Sequence, residues 1–260
     1  MPFFDTSSTR IYYEDSGASA PAVIFSHGFV LDRTLFTPQI AELAKRYRCV
    51  AWDQRGHGMS SCNESFSLWD SGKDCLALMD ALGIEEAVLV GLSQGGFISM
   101  RAAVTAPRRV RGLVLMDTAA RSFSAAELEG YTAMRDSWVR NGPVGETATT
   151  MATLLFGPDF DQSGWIARWQ SRPPADWSRP WEAILGRDEF FPRLTEIKCP
   201  SVVVHGGNDA AFPVSVAREI CSALPNCRGC EIIDGAPHAP TLTHPEAVTR
   251  VLENFLESLN

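Results

Sequence analysis

The stretch with the clearest chemical potential is Gly91-Leu-Ser-Gln-Gly95, in which one serine stands between two glycines. An apolar run of strand length precedes it at 87–90, and residues with helical spacing follow from Gln94, so the pentapeptide is predicted to be a strand-to-helix turn. The central residue of such a turn has a strained backbone, and side chains two residues away would collide with it, which explains both glycines. The pattern predicts that Ser93 is a nucleophile, with the start of the helix stabilising an oxyanion.

A serine hydroxyl is a weak nucleophile at neutral pH and needs a base, a role that suits imidazole because its pKa is near neutrality. The chain has five histidines. His238 lies in a loop after the last predicted strand, whereas His244 opens a helix, His205 ends a strand and His57 belongs to a glycine-rich turn. We therefore predict that His238 is the base.

An acid must orient the histidine and stabilise its cation, and two aspartates compete for this role. Asp209 follows the fifth predicted parallel strand and Asp117 follows the fourth. We favour Asp209 and keep Asp117 as the alternative. Asp53 is interpreted as a structural turn acid that pairs with Arg55.

These candidate residues all follow short apolar runs, which lie at 22–25, 49–52, 87–90, 110–116, 201–204 and 230–233. Helical patterns separate or follow the runs at 37–46, 68–82, 94–106, 214–224 and 245–259, and an alternating segment at 9–15 predicts an antiparallel edge strand. Unbroken apolar strands that alternate with helices predict an α/β fold with a parallel sheet covered on both faces. Ligands bind beyond the carboxyl ends of such strands, where Ser93, Asp209 and His238 are expected.

The alternation of strands and helices fails between residues 119 and 192. This segment is rich in proline, has no strand pattern and holds five of the seven tryptophans. A structureless loop of this length is improbable in a compact domain. We therefore predict a helical cap at 119–192 over an α/β core formed by 1–118 and 193–260.

The charge and composition of the chain make some classes of binding partner improbable. The formal net charge of −8 gives no extended basic surface, so nucleic acid and anionic membranes are poor partners. The apolar runs are far shorter than the roughly 18 residues that a membrane span needs. The first residues lack the basic and apolar pattern of a signal peptide, so we expect a cytoplasmic protein.

Seven scattered cysteines do not resemble the disulfide framework of a secreted protein. Cys227-Arg-Gly-Cys230 has the spacing of a metal or redox pair, but a closed zinc site needs four ligands and only Cys221 lies nearby in sequence. We interpret this stretch as a turn before a strand that begins at Cys230, and we predict no metal.

Taken together, several motifs resemble the α/β-hydrolase family over nearly the whole chain. They are His27-Gly28, Asp53-x-Arg55-Gly56-His57-Gly58, the serine turn, Gly207-x-Asp209 and Pro237-His238. The resemblance implies a mostly parallel central sheet flanked by helices with an inserted helical cap, and a catalytic triad of Ser93, His238 and Asp209. The motifs say little about the substrate.

Two groups within this family are especially similar. Residues 115–121, the tryptophan at 138 and residues 193–200 resemble 3-oxoadipate enol-lactonases, whereas 26–29 and 236–238 resemble cofactor-free aryl esterases and haloperoxidases. The second group commonly has proline where this chain has Val30, which disfavours perhydrolase activity. Meta-cleavage carbon-carbon hydrolases usually have a tryptophan soon after the catalytic histidine. In this chain Ala239-Pro-Thr241 follows His238, which counts against that group.

The remaining site predictions concern the oxyanion and the substrate. The backbone N–H of Gln94 follows the nucleophile and is one predicted oxyanion donor, and the resemblance implies that the N–H of Phe29 is the other. Trp138 and Trp165 in the predicted cap are candidates to line an apolar substrate pocket.

These residues together predict a cofactor-independent serine hydrolase that cleaves a small ester or lactone through an acyl-enzyme. A carbon-carbon hydrolase with the same triad and a ligand receptor with the hydrolase fold remain as alternatives. The oligomeric state stays open.

Overall fold

The computed structural model describes residues 2–6 and 8–259. Its central element is a sheet with eight strands in the described residues, ordered β1-β2-β4-β3-β5-β6-β7-β8. The strands are β1 (Phe3–Asp5), β2 (Arg10–Asp15), β3 (Ala22–Ser26), β4 (Arg48–Trp52), β5 (Ala87–Leu92), β6 (Val110–Met116), β7 (Ser201–Gly206) and β8 (Cys227–Ile233).

The sheet is parallel from β4 to β8, and β1 and β2 join it antiparallel. Every residue of β3, β5 and β7 is buried, as expected for strands covered by helices on both faces. The predicted α/β class is confirmed. The segment at 9–15 does pair antiparallel, but β1 covers it, so β2 is not the edge strand.

The helices lie on both sides of this sheet or between β6 and β7. They are α1 (Thr37–Leu43), α2 (Leu68–Ala81), α3 (Gln94–Thr105), α4 (Ala125–Asn141), α5 (Gly145–Phe156), α6 (Ser163–Gln170), α7 (Ser178–Leu185), α8 (Val214–Ala223), α9 (Pro240–Thr243) and α10 (Pro245–Glu257). Over 2–6 and 8–259, no helix combines the length and apolarity that crossing a membrane requires.

Helices α4 to α7 occupy the segment for which the sequence predicts a cap. Four tryptophans pack as a cluster within it: the Trp138 ring centre lies 5.4 Å from that of Trp169, 5.8 Å from Trp177 and 6.0 Å from Trp181. All four side chains are buried. These large rings supply apolar contact between the short helices and join them to the same buried core as the sheet.

The structure corrects two local interpretations. Asp53 pairs with Arg33 at 3.0 Å and not with Arg55, which forms a buried ion pair with Asp74 at 2.6 Å. The glycine-rich turn directs the Asp53 carboxylate back into the turn, where it accepts the Met59 N–H at 2.9 Å.

The cysteine-containing stretch also differs from the interpretation. Strand β8 begins at Cys227 and not at Cys230, and Cys227 forms a disulfide with Cys221 at the end of α8. The Cα atoms of the pair lie 5.5 Å apart, which suits a disulfide. Sequence spacing alone did not indicate this bridge because it depends on how tightly α8 turns into β8.

Candidate active site

The turn after β5 holds Ser93 in a strained backbone conformation, with φ 53° and ψ −113°. The two flanking glycines are required by contact. A Cβ atom on Gly91 would lie 2.2 Å from the Gly95 carbonyl oxygen, and one on Gly95 would lie 1.9 Å from the Ser26 carbonyl oxygen. Both distances are far below van der Waals contact, so Gly91 is required by the tightness of the turn itself and Gly95 by the packing of the turn against β3.

Helix α3 begins immediately after Ser93 and directs its first amide groups toward the space above the serine. The Ser93 N–H donates to the Met116 carbonyl at 2.8 Å, and the Thr118 hydroxyl donates to the Ser93 carbonyl at 2.8 Å. These bonds fix the serine backbone from the neighbouring strand. Among the hydrogen bonds of the described chain, the Gln94 N–H has no acceptor, so it is available to an oxyanion.

The loop after β3 lies against the serine. A Cβ atom on Gly28 would lie 3.5 Å from the Ser93 Cβ, which brings the next amide, that of Phe29, close to the serine. The buried His27 ring braces this loop, because its Nε2 accepts the Gln54 N–H at 3.0 Å and its Nδ1 lies 2.7 Å from the Gly28 oxygen. Burial lowers the pKa of His27, which favours the neutral ring that this pattern requires.

Two further residues hold the same loop and were missed by sequence reasoning. Val30 has φ 56°, a left-handed conformation that is rare for a β-branched residue. Its carbonyl accepts the indole N–H of Trp169 at 2.6 Å. Proline cannot adopt this φ, so the absence of proline at position 30 matches the observed backbone. The positive φ at Val30 had no sequence signal.

His238 and Asp209 are brought together by the loops after β8 and β7. The distance from His238 Nδ1 to Asp209 Oδ2 is 2.9 Å, and both side chains are buried. The other oxygen, Asp209 Oδ1, accepts the backbone N–H groups of Ala211 at 2.7 Å and Phe212 at 3.2 Å. Burial opposes ionisation of Asp209, but the neighbouring His238 and its hydrogen bond hold the pKa of Asp209 below its ordinary value.

Asp117, the alternative acid, lies behind this pair and has no hydrogen bond to His238. Its Oδ1 accepts the Gly206 N–H at 2.7 Å. Complete burial, followed by the charge of Asp209, raises the pKa of Asp117 well above its ordinary value. Asp117, His205 and Asp209 have possible ligand atoms within 4.8 Å of one another, but the raised pKa of Asp117 disfavours the ionised carboxylate that a metal ion needs as a ligand.

Ser93 and His238 line one small cavity of about 50 Å³ between the sheet edge and helices α4, α5 and α7. Eleven of the fifteen lining residues are apolar; they are Phe29, Phe97, Phe123, Met151, Leu154, Leu155, Trp181, Ile184, Leu185, Ala211 and Phe212. Such a wall suits the apolar part of a small substrate.

The tryptophan that lines this cavity is Trp181, whose ring centre lies 4.6 Å from that of Phe29. Trp138 is fully buried behind Trp181, and Trp165 stacks on Phe156 at 5.8 Å. Neither Trp138 nor Trp165 is among the described residues that line this cavity, so Trp181 takes the place that the sequence prediction gave to one of them. Sequence position could not separate them, because five tryptophans occur within 44 residues and only their packing decides which one faces the serine.

The sheet order, the strained serine turn and the strand-end histidine together define an α/β-hydrolase. The chain belongs to this family, since the family model of the alpha/beta hydrolase fold matches residues 21–245. The resemblance read from the sequence motifs is confirmed.

Relatives with assigned names cover nearly the whole chain. A 3-oxoadipate enol-lactonase of Acinetobacter baylyi is 27% identical over 93% of this chain and 90% of its own length. BpoC of Mycobacterium tuberculosis, provisionally named a non-heme bromoperoxidase, is 30% identical over 96% of this chain and 98% of its own. The crystal structure of an enol-lactonase from Burkholderia xenovorans has a TM-score of 0.89 at 25% identity, with 98% of this chain and 100% of that chain covered.

Proposed function

We propose that the protein is a serine hydrolase that cleaves a small carboxylic ester or lactone, with Ser93 as nucleophile, His238 as base and Asp209 as the orienting acid. The observation that carries the proposal is the shared cavity of Ser93 and His238, together with the 2.9 Å contact from His238 to Asp209. The enol-lactonase names of two relatives support a lactone or ester bond as the target.

In the proposed mechanism, the contact with Asp209 keeps the proton of His238 on Nδ1 and leaves Nε2 unprotonated. Nε2 accepts the proton of the Ser93 hydroxyl while Oγ attacks the carbonyl carbon. The same proton then passes to the leaving oxygen as the acyl-oxygen bond breaks. Water, activated in turn by His238, releases the acid and restores the serine.

The backbone N–H groups of Phe29 and Gln94 are proposed to stabilise the negative charge on the carbonyl oxygen. Each donor of this kind contributes about 3 kcal/mol to lowering the barrier. The strained φ of Ser93 fits this arrangement, because Ser93 lies directly before α3 and against the loop after β3. No cofactor enters any step.

Two wider proposals accompany the mechanism. Residues 119–192 act as a cap on a core formed by 1–118 and 193–260, because Tyr131 and Trp181 of this segment line the cavity beside Ser93. The enzyme acts on a small molecule in the cytoplasm, which fractionation of the producing cells would test.

A panel of p-nitrophenyl esters and small lactones tests the function. We expect turnover by the wild type and a loss of more than about 10³-fold in Ser93→Ala. Ser71→Ala is the matched control, because it removes a buried hydroxyl on α2 that has no hydrogen-bond partner in the described structure. Equal activity in the wild type and Ser93→Ala would reject the assignment, and inactivity of the wild type on the whole panel would reject the substrate class.

A further inference from the structure

Four side chains that line the cavity are polar: Ser93, His238, Tyr131 and Arg187. The mechanism uses the first two. Arg187 follows α7 and is only 8% exposed, so it presents a nearly buried positive charge to an otherwise apolar cavity. A buried cation is costly unless an anion or a dense set of acceptors compensates it, so its partners need to be identified.

Within the described chain, Arg187 has little compensation. Its Nε donates to the Arg121 carbonyl at 3.0 Å, while neither Nη1 nor Nη2 has a hydrogen-bond acceptor among residues 2–6 and 8–259. The guanidinium lies 3.5 Å from the ring centre of Phe123 and 5.0 Å from that of Phe97. These rings stabilise the positive charge by cation–π contact, but they leave the Nη1 and Nη2 groups of the guanidinium fork without a hydrogen-bond partner in the described residues.

The acids near Arg187 are each engaged elsewhere. Asp188 pairs with the buried Arg101. Glu189 accepts from the backbone N–H of Ser122 at 3.1 Å, and Glu127 closes the capping box of α4 through Ser124. In the described residues, no carboxylate lies within ion-pair distance of Arg187.

Burial lowers the pKa of Arg187 to about 10, so the group is still a cation at neutral pH. A guanidinium with a free two-nitrogen edge matches the two oxygens of a carboxylate. The hydroxyl of Tyr131, in the same cavity, adds a neutral donor.

We propose that Arg187 determines substrate specificity by binding a second, ionised carboxylate of the substrate. The preferred substrates are therefore esters or lactones that carry a free carboxylate a few carbon atoms from the carbonyl that Ser93 attacks. This inference rests on the proposed function, because it places the anion in the cavity of the same serine.

The test compares two p-nitrophenyl esters of similar shape, the glutarate hemiester and the neutral 5-methylhexanoate ester. We expect wild-type kcat/KM to be at least about tenfold higher for the anionic ester. In Arg187→Met, kcat/KM for the anionic ester should fall roughly 10- to 100-fold, while the neutral ester changes less than about threefold. Succinate and adipate hemiesters then locate the best distance between the two carbonyl groups.

Arg218→Met is the matched control, because it removes an equal charge from an exposed position on α8 and should leave the preference unchanged. Arg187→Lys keeps a cation without the fork and should retain part of the preference. An equal loss on both esters in Arg187→Met, with Arg187→Lys restoring both, would mean a packing role and would overturn the proposal. So would a wild type that hydrolyses both esters equally well, although ester hydrolysis by Ser93 would stand.

A binding measurement keeps the two proposals separable. Glutarate should raise the melting temperature of the wild type and of Ser93→Ala, with no such rise for glutaramide or in Arg187→Met. If neither ester is cleaved but glutarate raises the melting temperature of the wild type and of Ser93→Ala and not of Arg187→Met, the anion site stands and the hydrolase proposal fails. If glutarate protects none of the proteins, the anion site is rejected.

Discussion

Replacing Asp209 by asparagine tests the arrangement around His238. Asp209 Oδ1 accepts two backbone N–H groups, and Oδ2 faces His238 Nδ1 at 2.9 Å. The asparagine oxygen must take the place of Oδ1, because an amide nitrogen there would meet two donors. Its NH₂ group then faces Nδ1, which forces the histidine proton onto Nε2, the atom that the mechanism requires as acceptor.

The expected loss follows from this change of tautomer. We expect kcat/KM to fall about 10⁴-fold, which corresponds to roughly 5.4 kcal/mol at 1.36 kcal/mol per factor of ten. Initial rates on the best ester give the change, and urea denaturation verifies that the variant is folded. Raising the pH should not rescue the variant, because the tautomer is fixed by the amide and not by titration.

Asp117→Asn is the comparison variant. Its oxygen can still accept the Gly206 N–H, and its NH₂ group takes the place of Oδ2, which has no hydrogen-bond partner in the described residues. We expect kcat/KM within about fivefold of the wild type, a change worth about 1 kcal/mol. An active Asp209→Asn together with an inactive Asp117→Asn would refute the reasoning and make Asp117 the orienting acid.

Three further results are expected. Gly95→Ala should destabilise the protein by more than about 3 kcal/mol or prevent folding, because the new Cβ would overlap a backbone oxygen of β3. Expression level and urea denaturation measure this effect. A stable and active Gly95→Ala variant would contradict the turn geometry. Trp181→Ala should raise kcat/KM for esters with bulkier acyl groups relative to smaller ones. Trp138→Ala should cost about 3–5 kcal/mol of stability and leave the order of preference among acyl groups unchanged. The same order of preference in both variants would argue against Trp181 as the cavity wall. The raised pKa of Asp117 means that the folded state keeps a proton that the unfolded state loses above about pH 4, so the stability of the wild type falls as the pH rises from 4 toward the raised pKa. Asp117→Asn lacks this effect, so its melting temperature should rise relative to that of the wild type between pH 4 and pH 8. A constant difference between the two melting temperatures would contradict the raised pKa.

Much of the architecture was predictable because it depends on local patterns. The apolar runs located β3 to β8 to within a few residues, and the helical spacing located α1, α2, α3, α8 and α10. Strand ends in a parallel sheet share one edge, so the positions of Ser93, Asp209 and His238 in sequence also predicted that they would lie near one another.

Partners that depend on side-chain direction were less predictable. The sequence favoured Arg55 as the partner of Asp53, but in the structure Arg55 pairs with Asp74, and Asp53 pairs with Arg33 from the short 3-10 helix after β3. The sequence likewise could not show whether Asp209 or Asp117 contacts His238, and in the structure Asp209 makes this contact at 2.9 Å. A sequence shows which acids follow strands, whereas rotamers and loop lengths decide which one reaches the histidine.

The sequence alone determined the class of fold and the serine turn, because a glycine pattern and an apolar period are imposed by backbone sterics within a few residues. Only the tertiary structure decided what surrounds that serine. The identity of the wall tryptophan, the brace from Trp169 to Val30 and the nearly buried charge of Arg187 arise from contacts between segments distant in sequence. Such contacts depend on how the helices after β6 pack, and no local pattern encodes that packing.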